Sequence, residues 1–144
     1  MNKRQVLAMT DEELRIKAAE LMGWEWSAGL FEFCNGVSSR GAWWSPREGG
    51  SIMAYAADTK DCVDALPDYP NDIAAAWELF YKMLGLGCVM DAGIEYNCDD
   101  DETSGIVYFY FRFADKPRMR WFMMTIKSIP KAITRAFILA MEAE

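Results

Sequence analysis

Two stretches near the C-terminal end decide the reading of the fold: GIVYFYFRF at 105–113 and MRWFMMTIK at 119–127, joined by Ala114, Asp115, Lys116 and Pro117. Successive side chains of a strand point to opposite faces. In the first stretch Ile106, Tyr108 and Tyr110 share one face, and Val107, Phe109, Phe111 and Phe113 share the other. In the second, Trp121 and Met123 oppose Phe122, Met124 and Ile126. Both strands are therefore apolar on both sides, and a hairpin of that kind must be covered on both sides.

The cover has to come from helices elsewhere in the chain. Thr10 followed by Glu13 is a capping box. Leu14, Ala18, Leu21 and Met22 then fall on one helical face, and Gly23 suits the left-handed position that ends such a helix. Residues 71–84 give the strongest helical pattern, with Ile73, Trp77, Phe80, Tyr81 and Leu84 at three- and four-residue intervals. Asn71 or Asp68 is placed to cap its start, and Gly85 and Gly87 to end it. Ser128 is placed to cap a last helix, with Pro130 in its first turn and Ile129, Ile133, Ala136, Phe137, Ala140 and Met141 on its apolar face.

Strands are expected at 24–33, with Gly29 allowing a bend or bulge, at 51–57 and at 88–96. Residues 35–50 are rich in Gly, Ser and Arg and read as a long irregular loop, although they carry Trp43, Trp44 and Pro46. The order is helix, strand, strand, helix, three strands, helix. One arrangement buries every apolar stripe: a three-layer α/β/α sandwich. It is an α+β fold with a central, mostly antiparallel sheet of about five strands and helices on both faces. The 144 residues are expected to form a single domain.

Composition narrows the chemistry. Apolar residues make up 52% and aromatics 14%, which rules out disorder as the main state. No apolar run approaches membrane-spanning length, so no membrane partner is expected. The N-terminal residues run into acids where a signal peptide needs an apolar stretch, so a cytoplasmic protein is expected. A net charge of −7 argues against nonspecific nucleic-acid binding. The charge is uneven: from Arg112 to Arg135 there are seven basic residues and one acid. Such a segment either balances acidic neighbours or holds a small anionic ligand.

Histidine is absent, which removes the Ser-His and Cys-His nucleophile pairs and every His-containing zinc site. Cys34, Cys62, Cys88 and Cys98 lack C-x-x-C spacing and are expected to be buried thiols in a cytosolic chain. No metal and no cofactor is expected, and the chain is read as not an enzyme. The acidic stretch NCDDDETSG at 97–105 lacks the glycine and closing glutamate of a calcium loop and reads as a solvated connection.

Several segments together resemble a known family: Met22-Gly23-Trp24, Tyr69-Pro70-Asn71-Asp72-Ile73-Ala74-Ala75-Ala76-Trp77-Glu78, and Ile129-Pro130-Lys131-Ala132-Ile133-Thr134-Arg135-Ala136. They are similar to the phage ABA-sandwich domain family, small proteins of tailed phages and prophages, mostly without assigned function. The family runs Y-[ST]-x-D-I-A-A-A-W-E at the middle segment. Pro70 stands here where a hydroxyl residue is usual, so another residue must cap that helix. The resemblance implies a viral protein working in the cytoplasm of a bacterial host, with the α/β/α architecture. It transfers no catalytic site.

The site candidates are two tryptophans and four arginines. Trp43 and Trp44 either stack on a planar ligand such as a nucleobase, or plug the sandwich or make an oligomer contact. Arg112, Arg118 and Arg120 flank the hairpin turn. They either bind phosphate or protect an edge strand. Arg47 lies beside the tryptophans and joins the same candidate ligand-binding set. Asp72 suits a capping role, and Arg135 a surface or salt-bridge role. The expected function is a non-enzymatic small-ligand binder in an oligomer of identical chains. Its concrete form is an anti-defence sponge that sequesters a nucleotide-derived host immune signal of the cyclic nucleotide or cyclic ADP-ribose type. The alternative is an acidic inhibitor that binds a host defence protein.

Overall fold

The computed structural model describes residues 1–46, 52–96, 105–113, 123–125 and 129–142, with side chains over 1–46, 52–88 and 129–142. In chain order the elements are α1 (Lys3–Ala8), α2 (Asp11–Leu21), β1 (Glu25–Glu32), β2 (Ser38–Trp44), β3 (Ala54–Ala56), α3 (Ile73–Gly85), β4 (Cys88–Tyr96), β5 (Gly105–Phe113), β6 (Met123–Thr125) and α4 (Ile129–Glu142). The class is mixed α and β, with antiparallel sheets.

Local chemistry sets the helix ends. The Thr10 hydroxyl accepts from the Glu13 N–H at 3.2 Å, and the Glu13 carboxylate accepts from the Thr10 N–H at 2.8 Å. At the other end of α2, Gly23 takes φ +94°. The Trp24 N–H then donates to the Ala19 carbonyl at 2.9 Å and the Gly23 N–H to Glu20 at 3.0 Å, the paired bonds of a Schellman end. Asp72, rather than Asn71 or Asp68, caps α3: its carboxylate accepts from the Ala74 N–H at 2.8 Å. This supplies the cap that Pro70 cannot, and it gives Asp72 the role expected of it. The expected cap at Ser128 lies outside the described residues.

The strands differ from expectation in two ways. First, 38–44 is not loop but β2, the middle strand of a sheet ordered β1-β2-β3. Its Ser-Ser-Arg-Gly start hides the pattern, because these residues are poor strand formers and common in turns. Second, the described strands pair as two three-stranded antiparallel sheets, β1-β2-β3 and β4-β5-β6, rather than as one sheet of about five strands. Each described sheet is drawn from its own stretch of chain, β1 to β3 before α3 and β4 to β6 after it. Gly29 sits at the register shift between Ala28 and Phe31, the bulge that a glycine there allows. The β4–β5 register is unbroken from Cys88↔Phe113 to Tyr96↔Gly105. β6 adds to β5 from Ile106↔Thr125 to Tyr108↔Met123, as the expected hairpin requires.

Helix α4 is the packing centre. Ala132, Ile133, Thr134, Ala136, Phe137, Ile138 and Leu139 are all buried, so the helix is enclosed on more than the one face expected for it. It touches α1, α2, α3, β5 and β6. The hydroxyl of buried Thr134 donates to the Pro130 carbonyl at 2.8 Å. Ion pairs tie α4 to α2, Lys131 to Asp11 at 2.7 Å and Glu142 to Lys17. Arg135 donates to the Leu7 carbonyl at 3.3 Å, in the last turn of α1, and pairs with no carboxylate among the described residues.

Helix α3 meets α4 through Ala75, Ala76, Leu79 and Met83. Of the expected stripe, Phe80 packs half-buried against the core, while Ile73, Trp77, Tyr81 and Leu84 are exposed, Tyr81 by 69%. Trp77 rests edge-on against Phe80, with ring centroids 5.0 Å apart. Alanines admit the close approach of an already bulky α4, which the aromatics would prevent. Among the described residues no helix is long and apolar enough to cross a membrane. Leu79→Ala is therefore expected to cost about 2–5 kcal/mol. Tyr81→Ser is expected to stay within about 0.5 kcal/mol of the parent, both read from urea unfolding midpoints.

Candidate functional site

The site is set by the alternation of β2. Trp43 and Trp44 are adjacent on a strand and must face opposite sides of the sheet. Trp43 pairs with Trp26 and Tyr55, and Trp44 pairs with Glu25 and Ala54. Trp43 is fully buried and belongs to the core cluster with α2, α3 and α4 residues. It presents no surface on which a ligand could stack. Its indole N–H has no partner among the described residues. The two neighbouring tryptophans thus separate into one core residue and one surface residue.

Trp44 is half-buried and held in one orientation. Its Nε1–H donates to the Ser27 hydroxyl at 2.7 Å. The Phe31 ring meets it edge-on, with centroids 5.8 Å apart and planes at 76°. Ser45 continues the frame. Its N–H donates to the Met53 carbonyl at 2.8 Å, and its hydroxyl accepts from the Met53 N–H at 2.9 Å. Pro46 lies over Gly23, where an added Cβ would come within 3.3 Å of the Pro46 Cβ. Together these residues line an open cleft of ≈ 470 Å³, with Trp26, Glu25 and Ile52 completing the described wall. That volume falls in the range of small-molecule sites.

Behind the cleft the strands approach closely at Gly41. An added Cβ there would lie 2.6 Å from the Ala57 carbonyl oxygen and 2.6 Å from the Trp26 ring. The Trp26 Nε1–H donates to that same carbonyl at 3.2 Å. Only glycine allows the Trp26 ring to lie across β2. The neighbouring turn is fastened by Asp58, whose carboxylate accepts from the Arg40 N–H at 2.8 Å and the Ser39 hydroxyl at 3.2 Å. The Arg40 backbone bond, followed by the Ser39 bond, holds the Asp58 carboxyl below its ordinary value.

Of the expected site residues, the structure thus brings Trp44 to a cleft and Trp43 to the core. Arg112 pairs with Val89 near the end of β5, with its backbone alone described. Arg47, Arg118 and Arg120 lie outside the described residues, as do Cys98 and the acidic stretch 97–104. Cys34 and Cys62 are exposed rather than buried, and Cys88 is buried as expected. Among the described residues no group of three or more His, Cys, Asp or Glu is placed to hold a metal ion. Neither composition nor motif singles out Glu25 or Ser27. Their signal is the register: once 38–44 is a strand, both fall on the face of Trp44.

The close approach at Gly41 has a measurable consequence. Gly41→Ala is expected to destabilise by about 1–3 kcal/mol, the range for forcing atoms into a packed interior. Gly85→Ala, where nothing lies within 4 Å of the added Cβ, is expected to be neutral or stabilising. Thermal and urea unfolding of the two variants checks the contrast.

Compared with known proteins, the chain matches no family model, and no curated protein or solved structure matches it.

Proposed function

We propose that the protein is a non-catalytic binder of a small, planar, nucleotide-derived ligand whose ring stacks in the Trp44 cleft. The single observation that carries this reading is the fixed indole of Trp44. It is pinned by Ser27 and Phe31 at the wall of an open cleft of suitable volume. Preorganised aromatic platforms bind bases because stacking contributes roughly 1–3 kcal/mol per base. A platform that is already oriented loses little freedom on binding.

The wider proposal follows the sequence resemblance. The chain is a phage ABA-sandwich protein with helical layers on both sides of its β-structure, acting in the cytoplasm of a bacterial host. It serves there as a sponge for a cyclic nucleotide or cyclic ADP-ribose type of immune signal. Arg47, Arg112, Arg118 and Arg120 supply the phosphate contacts, in one chain or across an oligomer of identical chains.

A second reading is favoured by one observation. Asp11, Glu12, Asp64 and Asp68 line a shallow groove in which Arg15 is turned inward onto the Leu66 and Pro67 carbonyls. With a net charge of −7, that face suits a basic site on a host defence protein, which the chain would block.

Thermal unfolding with cyclic dinucleotides, cyclic ADP-ribose isomers and plain nucleotides tests the first reading. A ligand at about 100 times its Kd stabilises by about 2.7 kcal/mol, a rise of several degrees. Trp44→Ala is expected to abolish the rise, and Trp77→Ala, altering the exposed face of α3, to keep it. A rise that survives Trp44→Ala removes the cleft from the account.

A further inference from the structure

The cleft at Trp44 has a second feature that stacking does not use. Glu25 lies directly opposite Trp44 in the β1–β2 register, on the same face of the sheet. Side chains so paired have Cβ atoms roughly 4.5–5.5 Å apart, so a glutamate reaches the rim of whatever lies on the indole. Glu25 is exposed at the start of β1 and lines the cleft. Its carboxylate makes no hydrogen bond or ion pair with any described residue. It is also the one charged group in the described wall of the cleft.

We infer that Glu25 reads the edge of the stacked ring, so that the cleft selects a heterocycle with two adjacent N–H donors, the guanine edge, over adenine. The inference rests on the reading of the cleft as a stacking site. An ionised carboxylate is an acceptor only, with two oxygens that match a pair of parallel N–H donors. Guanine presents such a pair at N1–H and the 2-amino group. Hypoxanthine presents one of them. Adenine presents its ring N1 lone pair beside a single amino group, so one carboxylate oxygen would meet a lone pair. Discrimination then has a repulsive part as well as an attractive one.

The hydroxyls of the wall complement this edge. Ser27 accepts from Trp44, and Ser45 accepts from Met53. Each keeps its hydroxyl hydrogen to donate, for which a ring carbonyl such as guanine O6 is a fitting acceptor. No cation stands among the described residues of the wall, and the phosphate contacts of the proposed function fall to the arginines. A bare nucleoside is thus the proper probe of the pocket.

The test is quenching of tryptophan fluorescence by guanosine, inosine and adenosine, measured on the parent, Glu25→Gln and Trp44→Ala. Glu25 is exposed, so Glu25→Gln is expected to fold, and a melting curve confirms it. The parent is expected to bind guanosine about tenfold or more tightly than adenosine, with inosine between. Glu25→Gln is expected to bring guanosine down to the adenosine affinity while some stacking remains. Equal affinities in the parent, or a preference unchanged in Glu25→Gln, overturn the edge reading and leave the stacking reading in place. Failure of all three nucleosides to bind, or binding unchanged in Trp44→Ala, overturns both. N-acetylarginine amide supplies the other common planar donor pair, and its binding in place of guanosine also overturns the inference.

Discussion

Two adjacent tryptophans on one strand cannot face the same way, and much of the structure turns on which goes in. In β2 the inner one is Trp43, which joins the core with residues of α2, α3 and α4. The outer one is Trp44, pinned by Ser27. A register slip of one residue would exchange them. Gly41 opposes that slip. The Trp26 ring and the Ala57 carbonyl crowd the space a Cβ would need there, and the Trp26 N–H closes onto that carbonyl. The glycine therefore fixes the register, the register sorts the tryptophans, and the sorting creates the cleft.

The helical side rests on α4. A helix buried around most of its circumference needs partners on several sides, and α1, α2 and α3 supply them together with β5 and β6. Its neighbours adapt to it. α3 turns its alanines and Leu79 inward and leaves Trp77 and Tyr81 outside. α2 adds ion pairs from Asp11 and Lys17 to α4 residues. Solvent reaches both partners of each pair, so each contributes little, and the apolar burial of Phe137, Ile138 and Leu139 dominates.

Much of this was legible in the residues. Thr10 with Glu13, Gly23 after α2, Gly29 in β1 and the length of β4 and β5 are local signals, and each local preference agrees with the fold. Three features were not legible. The start of β2 reads as turn because Ser39 and Gly41 serve contacts that lie well away in the chain: Asp58, Ala57 and Trp26. Most of the buried face of α3 is hidden in the sequence because it is built largely from alanine, whose small side chain adds little to an apolar pattern. The second face of α4 is not readable from the sequence, because one stripe suffices to read a helix and enclosure depends on how many partners surround it. The site was half legible: Trp44 stood out by type, while Glu25 and Ser27 needed the register.

The opposite fates of Trp43 and Trp44 underlie both the core and the cleft. The most direct measurement is fluorine NMR of protein labelled with 5-fluorotryptophan, the resonances assigned by single Trp→Phe variants, and shifts compared between H₂O and D₂O. The resonance of Trp44 is expected to move with the solvent isotope and that of Trp43 to stay fixed. Equal movement of both would mean that 38–44 is an exposed loop. Movement of Trp43 alone would mean that the strand carries the opposite register. Either result would contradict the account.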